Sequence, residues 1–397
     1  MDSLTQITLG AAVGELTLGK KVGNRALLWG AVGGTIPDLD VLSSFFLSPI
    51  NDLAFHRGIS HSIVFAVLGA FFFGYVVDFL YKSKYHQFIA FAGWMLVPLG
   101  VLFFMYRIFD QTAFSGTFLF IVFGGLAFWL YRKYFRSSFI PPDANRKEWT
   151  WLFFWALFTH PLLDCFTTYG TQLFQPFSSY RVAFNAISVA DPVYTVPFLL
   201  AMISVSFFNR KSQYRKYLAW AGLSISSAYL LFTVINKQRI NNVWTETLTD
   251  QGIAYSRYMT SPTILNNALW YCLAETESGY VFGLYSVFDK ERKVQLTSVD
   301  RNDYLIPGGE EDYTIKTLKW FTNDYYTISK RSDGNLQFSD LRFGVFDNNS
   351  SEDTYIFNFT LLPPEDNNYT MIRSDGGPPP GKEKEMMASL WTRIKGI

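Results

Sequence analysis

Histidine and aspartate residues gathered in three short motifs are the groups of this chain best suited to chemistry. The motifs are Pro37-Asp38-Leu39-Asp40, His56-Arg57-Gly58-Ile59-Ser60-His61-Ser62 and His160-Pro161-Leu162-Leu163-Asp164. They contain three of the four histidines of the chain. The fourth, His86, lies beside lysines, and we interpret it as an ordinary polar residue.

These motifs are typical of a metal site. Asp38 and Asp40 are one residue apart and can point into one cavity, and acid pairs beside apolar segments are costly unless they are paired or bind a metal. His160 and Asp164 are four residues apart, so on a helix they share a face and could bind one ion. Imidazole with carboxylate suits Zn²⁺, or alternatively Fe or Mn, and four or more ligands would allow one ion or two.

Each motif also has a structural interpretation. Asp38 could cap a turn, His56 could be a surface residue, and His160 could form a hydrogen bond inside a helical bundle. The occurrence of three such motifs favours the metal site. Asp191, which precedes Pro192, fits a helix cap, and a role in supporting the metal ligands is the alternative.

Two arginines near the motifs, Arg57 and Arg181, are candidates for binding an anionic group. The planar guanidinium of Arg matches the geometry of a phosphate. The alternative is that either residue is an interfacial side chain whose charged end reaches the headgroups.

Eight apolar segments must position these motifs. They fall at about 3–18, 25–36, 58–80, 87–108, 114–131, 149–165, 191–208 and 215–235. Those at 58–80, 87–108 and 215–235 reach the roughly 20 residues that a spanning helix needs. Charged residues make up 17% of the 397 residues, below the roughly 25% of soluble proteins. The sequence therefore predicts an all-α polytopic membrane bundle of about seven or eight helices.

Basic residues alternate in number between successive loops. One set of loops has three, Arg57, Arg107 and Arg181. The other set has Lys20, Lys21, Arg25, Lys82, Lys84, Arg132, Lys133, Arg136, Arg146, Lys147, Arg210, Lys211, Arg215 and Lys216. By the positive-inside rule the richer set is cytoplasmic. This assignment places all three motifs on the extracytoplasmic face.

The chain is predicted to leave the membrane after residue 235. Residues 1–235 would then form the membrane domain and 236–397 an extracytoplasmic domain. Strand-like runs such as Tyr280–Phe288 and Tyr355–Leu361 are separated by turn signals, which predicts a β-rich fold, and a last helix is expected at about 383–394. The net charge of +1 gives no indication of a nucleic-acid partner.

At these motifs the sequence resembles a known family. Residues 1 to about 180 are similar to the YdjM-type, LexA-regulated inner-membrane proteins, which are described as candidate metal-dependent hydrolases. The matching residues are Met1-Asp2-Ser3-Leu4-Thr5, the first two motifs, and His160, Asp164, Thr167, Gly170 and Pro176 in a His-xxx-Asp-xx-Thr-xx-Gly pattern. A more distant similarity to zinc-dependent phospholipase C implies phosphoester hydrolysis at a multi-metal centre.

The resemblance implies a location in the cell inner membrane and a set of six metal ligands. The ligands are Asp38, Asp40, His56, His61, His160 and Asp164. One position departs from the family, because many members have His in the first helix where this chain has Gln6. Gln is a poor zinc ligand, so either one coordination position is lost or Asp2 or water fills it.

The predicted function is a membrane-bound, metal-dependent hydrolase of an ester or phosphoester in a lipid or lipid-linked substrate. Water activated by the metal would be the nucleophile. Asp40 or Asp164, if not a ligand, would act as the base, and Arg57 or Arg181 would hold a phosphate. The alternatives are a non-enzymatic metal-binding or transport protein and a membrane-anchored interaction protein. The sequence leaves the oligomeric state open.

Overall fold

A computed structural model of the chain describes residues 1–96, 116–135, 140–345, 355–365, 368–373 and 383–397. The α-helices are α1 Ser3–Val22, α2 Asn24–Thr35, α3 Pro49–Phe55, α4 Ile63–Lys82, α5 Gly116–Phe135, α6 Arg146–Asp164, α7 Pro192–Ser206, α8 Gln213–Asp250, α9 Tyr313–Thr322 and α10 Glu383–Ile394. Two short 3₁₀ helices, Pro37–Phe45 and Ile59–His61, flank α3. A helical stretch covers 86–96, and the rest of the predicted 87–108 segment, with Arg107, lies outside the described residues.

Eight strands follow α8 along the chain. They are β1 Arg257–Pro262, β2 Leu269–Glu275, β3 Gly279–Ser286, β4 Thr297–Asp300, β5 Tyr326–Lys330, β6 Leu336–Asp340, β7 Asn358–Glu365 and β8 Asn368–Arg373. They form two four-stranded sheets in the orders β1-β2-β3-β4 and β5-β6-β7-β8, with every pairing antiparallel. The prediction of a β-rich C-terminal region is confirmed.

The predicted membrane bundle of seven or eight helices is wrong. Among the described residues, two helices are long and apolar enough to cross a membrane, α4 and α8. The helices α2 and α7 have 12 and 15 residues, fewer than a span needs. Helix α6 begins with three charged residues and buries Trp149 and Phe153 completely against its neighbours. Apolar side chains that pack on one another look the same in a hydropathy profile as side chains that face lipid.

Helices α1 and α2 are in backbone contact through four glycines. Gly10 and Gly14 on α1 face Gly30 and Gly34 on α2, in the small-xxx-small spacing that lets helices approach closely. A Cβ added to Gly30 would lie 2.2 Å from the Gly10 carbonyl oxygen. This contact fixes the C-terminal end of α2, from which the first 3₁₀ helix continues.

Lys21 and Arg210, two of the basic residues assigned to cytoplasmic loops, lie together at one end of the helical region. Lys21 pairs with Glu148 at 2.5 Å, and the guanidinium of Arg210 donates to the Lys21 carbonyl oxygen at 2.7 Å. Because Lys21 lies at the far end of α1 from Gln6, this basic end is opposite the end that carries the three motifs.

Helix α8 connects the two regions of the chain. Its first half exposes Ile225, Leu231 and other apolar side chains, whereas its second half packs against the first sheet with Val243 and Trp244. The predicted boundary between residues 235 and 236 falls inside this helix, which continues to Asp250. The division into 1–235 and 236–397 stays a prediction.

The glycine contact between α1 and α2 gives a test of the packing. We expect Gly30→Ala to lower the stability of the purified protein by about 1–3 kcal/mol, because the added methyl group collides with backbone that cannot move aside. Gly125→Ala is the matched control, since a Cβ at this helical glycine meets nothing within 4 Å. Thermal unfolding in detergent measures both variants, and equal transition temperatures would contradict the close approach.

Candidate metal centre

Four of the predicted ligands converge at the ends of three elements, the start of one and the finish of two. Asp38 lies in the first turn of the 3₁₀ helix that Pro37 begins, and His61 lies at the end of the second 3₁₀ helix. His160 and Asp164 lie in the last turns of α6. Their donor atoms all lie within 4.8 Å of one another, and only Asp38 has appreciable exposure to solvent.

The spacing of these donor atoms fits a tetrahedral ion. The Nε2 atoms of His61 and His160 are 3.2 Å apart. Each lies 3.3–3.5 Å from Asp38 Oδ1 and from Asp164 Oδ2. Ligand atoms about 2.0–2.1 Å from a tetrahedral ion are separated by roughly 3.3–3.4 Å. These five distances are compatible with one divalent ion held by the four residues.

Hydrogen bonds orient both imidazoles. His160 Nδ1 lies 2.6 Å from the Gly34 carbonyl oxygen, which only accepts, so Nδ1 donates and Nε2 faces the other donor atoms. His61 Nδ1 faces Asp40 Oδ2 at 3.4 Å and Ser60 Oγ at 3.0 Å. Metal-binding histidines characteristically have a carbonyl or carboxylate at the second nitrogen.

Two other predicted ligands, Asp40 and His56, form a pair beside the group of four. His56 Nδ1 lies 2.8 Å from Asp40 Oδ1, and Asp40 Oδ2 accepts from the Arg57 backbone N–H at 2.8 Å. The imidazole of His56 is 29% exposed. In this geometry Asp40 faces Nδ1 of His61, the ring nitrogen that points away from the other donor atoms, and His56 lies at the solvent-exposed edge of the site.

The electrostatics of the site favour a bound cation. Burial raises the pKa of Asp38, but the hydrogen bonds from His160 and His61 outweigh it and hold this pKa well below its usual range. Burial likewise opposes ionisation of Asp40, and its histidine partners lower the pKa. Burial lowers the pKa of His61, but the surrounding carboxylates raise it to about 10. Without a metal, a proton on His61 balances the carboxylates, and a divalent ion would take the place of that proton.

Arg57 approaches the group of four from the side. Its Nη2 lies 3.4 Å from Asp164 Oδ1, and its Nη1 donates to Thr167 Oγ1 at 2.9 Å. The side chain is 5% exposed, and its buried Nε has no hydrogen-bond partner among the described residues. A buried guanidinium with an unused donor is a suitable group to contact an anionic substrate.

Arg181 lies farther out, where the loop after α6 meets α9. Its Nη2 donates to the carbonyl oxygens of Tyr169 and Gly170, both at 3.1 Å. Its guanidinium also lies over the rings of Trp320 and Phe321, at 5.2 and 5.0 Å. Its predicted role as a phosphate-binding group stays a prediction.

Gln6 contributes to the site in a way that the sequence did not indicate. Its Nε2 donates to Asp164 Oδ1 at 3.0 Å and to the His160 carbonyl oxygen at 3.2 Å. The amine of Met1 also contacts Asp164 Oδ1. Asp2 instead caps α1 by accepting from the Thr5 backbone N–H. Gln6 therefore holds a ligand rather than acting as one.

Of the remaining polar residues singled out in the sequence, Asp191 caps α7 as predicted. It accepts from the backbone N–H groups of Val193 and Tyr194 at 2.9 and 3.2 Å and from the Tyr229 hydroxyl. His86 Nδ1 lies 2.9 Å from the Ser83 carbonyl oxygen, just after α4.

Comparison with known proteins identifies one family. The profile of the YdjM inner membrane protein family matches residues 1–121 and 112–240, more than half of the chain, and these include all four converging residues. No curated protein and no solved structure matches the chain.

The geometry predicts that the purified protein binds a divalent metal ion and that His160→Ala removes it. Because His160 supplies one of four ligand atoms, we expect its loss to lower metal affinity by ten-fold or more. His86→Ala, which lies outside the site, is the control and should retain the metal. Elemental analysis after purification measures both variants. Equal metal content in the two would mean that His160 has a structural role.

Proposed function

Because the chain belongs to the YdjM inner membrane protein family, we propose that it is a membrane-bound hydrolase that uses a divalent metal ion. The observation that carries the proposal is the near-tetrahedral spacing of the donor atoms of Asp38, His61, His160 and Asp164. Two imidazoles with two carboxylates suit Zn²⁺, and Fe or Mn are alternatives. A second ion would require ligands such as Asp40 and His56.

An ion held by these residues would supply a Lewis acid that activates water for attack on an ester or phosphoester. Asp164 Oδ2 faces both Nε2 atoms and would be a ligand, which leaves Asp40, paired with His56, as the remaining predicted base. A proton accepted at Asp40 can pass to His56, which is partly exposed. Arg57 would place a positive charge beside the anionic oxygen of the substrate.

The surroundings of the site favour a substrate with a lipid tail. The 3₁₀ helix that carries Asp38 and Asp40 exposes Leu39, Val41 and Leu42, and at its end Phe45 and Phe46 are 76% and 87% exposed. Apolar patches of this kind mark surfaces that contact lipid or protein. Because α4, one of the two candidate spans, begins at Ile63, two residues after His61, we propose that these exposed side chains lie near the membrane surface.

We further propose that the site and residues 236–397 lie on the extracytoplasmic side. The proposal is supported by the basic residues at the opposite end of the helical region, since basic residues are retained in the cytoplasm. It places the candidate centre where a periplasmic or outer-leaflet substrate could reach it.

One observation favours a second function, a non-enzymatic metal-binding protein. Structural zinc sites use four protein ligands, whereas catalytic sites keep one position for water or substrate. Four side chains converge here, so the ion would be fully coordinated unless one ligand leaves. The 20% exposure of Asp38 makes it the ligand that substrate would displace.

Hydrolysis assays with a matched variant distinguish the two functions. The purified protein with saturating Zn²⁺ should cleave a lipid phosphodiester faster than a short-chain, water-soluble analogue. Asp40→Asn should lower kcat by about 100-fold or more, since a general base contributes a factor of that order. His86→Ala should leave kcat unchanged. A metal-loaded protein without activity on either substrate would favour the structural role.

The proposed orientation can be tested in the full-length chain, because both native cysteines are buried. We expect Ser278→Cys, in the exposed turn between β2 and β3, to react with a membrane-impermeant maleimide in spheroplasts. Lys84→Cys, just after α4, should react after the membrane is permeabilised and not before. Labelling of Lys84→Cys alone in intact spheroplasts would reverse the orientation.

A further inference from the structure

The ring of Tyr169 lies between the candidate metal centre and the C-terminal region. On the side of the site, its centroid is 5.2 Å from the His56 ring and 4.9 Å from Arg57 Cζ. On the other side, it is 5.1 Å from the Phe321 ring of α9 and 4.8 Å from Arg181 Cζ. One side chain thus contacts two residues at the site and two residues at the junction with α9.

Helix α9 is docked firmly beside this ring. Ile50 and Leu53 of α3 belong to the same buried apolar cluster as Ile315, Leu318 and Phe321 of α9. The Tyr313 hydroxyl donates to Asn51 Oδ1 at 2.9 Å. Because α3 lies between the two 3₁₀ helices that carry the candidate ligands, α9 packs on the same segment that supplies the site.

Arg181 fastens the loop after α6 to α9. It bonds to the carbonyl oxygens of Tyr169 and Gly170 and stacks on Trp320 and Phe321. Among the described residues, the Arg181 guanidinium is in contact with carbonyl oxygens and aromatic ring faces, and these dipoles and rings balance its charge. Trp320 adds a hydrogen bond from its Nε1 to the Ser179 carbonyl oxygen at 3.3 Å.

The residues that Tyr169 touches at the site in turn hold candidate ligands. His56 pairs with Asp40, which faces Nδ1 of His61. Arg57 donates its backbone N–H to Asp40 and places its Nη2 beside Asp164. Arg57 has a backbone φ of +55°, a conformation that non-glycine residues seldom adopt and that neighbouring contacts must maintain.

We propose that Tyr169 is a positioning residue through which the C-terminal region sets the geometry of the candidate metal centre. The ring packs against α9 on one side and against His56 and Arg57 on the other, so the position of α9 determines the position of these two residues. His56 and Arg57 in turn hold Asp40, His61 and Asp164 in place. The part of this inference that concerns metal affinity rests on the proposed function. The part that concerns the conformation of residues 56–61 does not.

The variants Tyr169→Leu and Tyr169→Phe in the full-length protein test the ring itself. Metal affinity is measured by competition with a chelator, and hydrogen–deuterium exchange of residues 53–62 is measured in protein stripped of metal. We expect Tyr169→Leu to weaken metal affinity about ten-fold or more and to accelerate exchange, as loss of an outer support does. Tyr169→Phe keeps the ring, and both values should lie closer to wild type than those of Tyr169→Leu.

Two further variants separate positioning from general destabilisation. Tyr180→Leu removes a 67% exposed tyrosine from the same loop and should leave affinity and exchange unchanged. Trp320→Leu touches no candidate ligand, yet it loosens Arg181 and should accelerate exchange at residues 56–61.

The outcomes distinguish the inference from the proposed function. If Tyr169→Leu and Trp320→Leu leave exchange at residues 56–61 at the wild-type rate, the inference is wrong even if the protein binds metal. If the wild-type protein binds no metal but both variants accelerate exchange, the proposed function fails and the positioning role of Tyr169 stands.

Discussion

The structure is organised around the burial of two carboxylates and two imidazoles at one point. Asp38, His61, His160 and Asp164 lie with their donor atoms within 4.8 Å, and three of the four are buried. Charges removed from water in this way are costly unless they are paired and hydrogen-bonded. The site meets this requirement with Arg57 and Gln6 beside Asp164. Two 3₁₀ helices and the last turns of α6 bring the groups together.

Helix packing far from the ligands contributes to the same result. The acceptor that orients His160 is the carbonyl oxygen of Gly34, and Gly34 belongs to the glycine contact between α1 and α2. A side chain at Gly34 would collide with the Gln6 carbonyl oxygen, 2.5 Å from the added Cβ. One close approach of two backbones therefore sets the positions of both the acceptor for His160 and the helix that carries Gln6.

The sequence singled out four residues that converge in the structure, whereas its prediction of the helical region was wrong. His160 and Asp164 share a helix face, and the local pattern of Asp38 and His61 indicated metal binding, because these signals depend on residues close in sequence. Gln6 and Tyr169 escaped prediction, since their partners Asp164 and Phe321 lie more than 150 residues away along the chain. The bundle was predicted wrongly because hydropathy measures how apolar a segment is and not whether it contacts lipid or protein.

Helix α8 has a consequence for how this chain can change in length. Its 38 residues extend about 57 Å, whereas the hydrocarbon core of a bilayer is about 30 Å thick. The helix is therefore longer than a bilayer is thick, and its C-terminal half packs against the first sheet through Trp244 and Leu248. Each residue inserted near its middle would lift the sheet by about 1.5 Å and turn it by about 100°. An insertion that a surface loop would tolerate would here move α9 away from α3. The number of residues in α8 is therefore constrained.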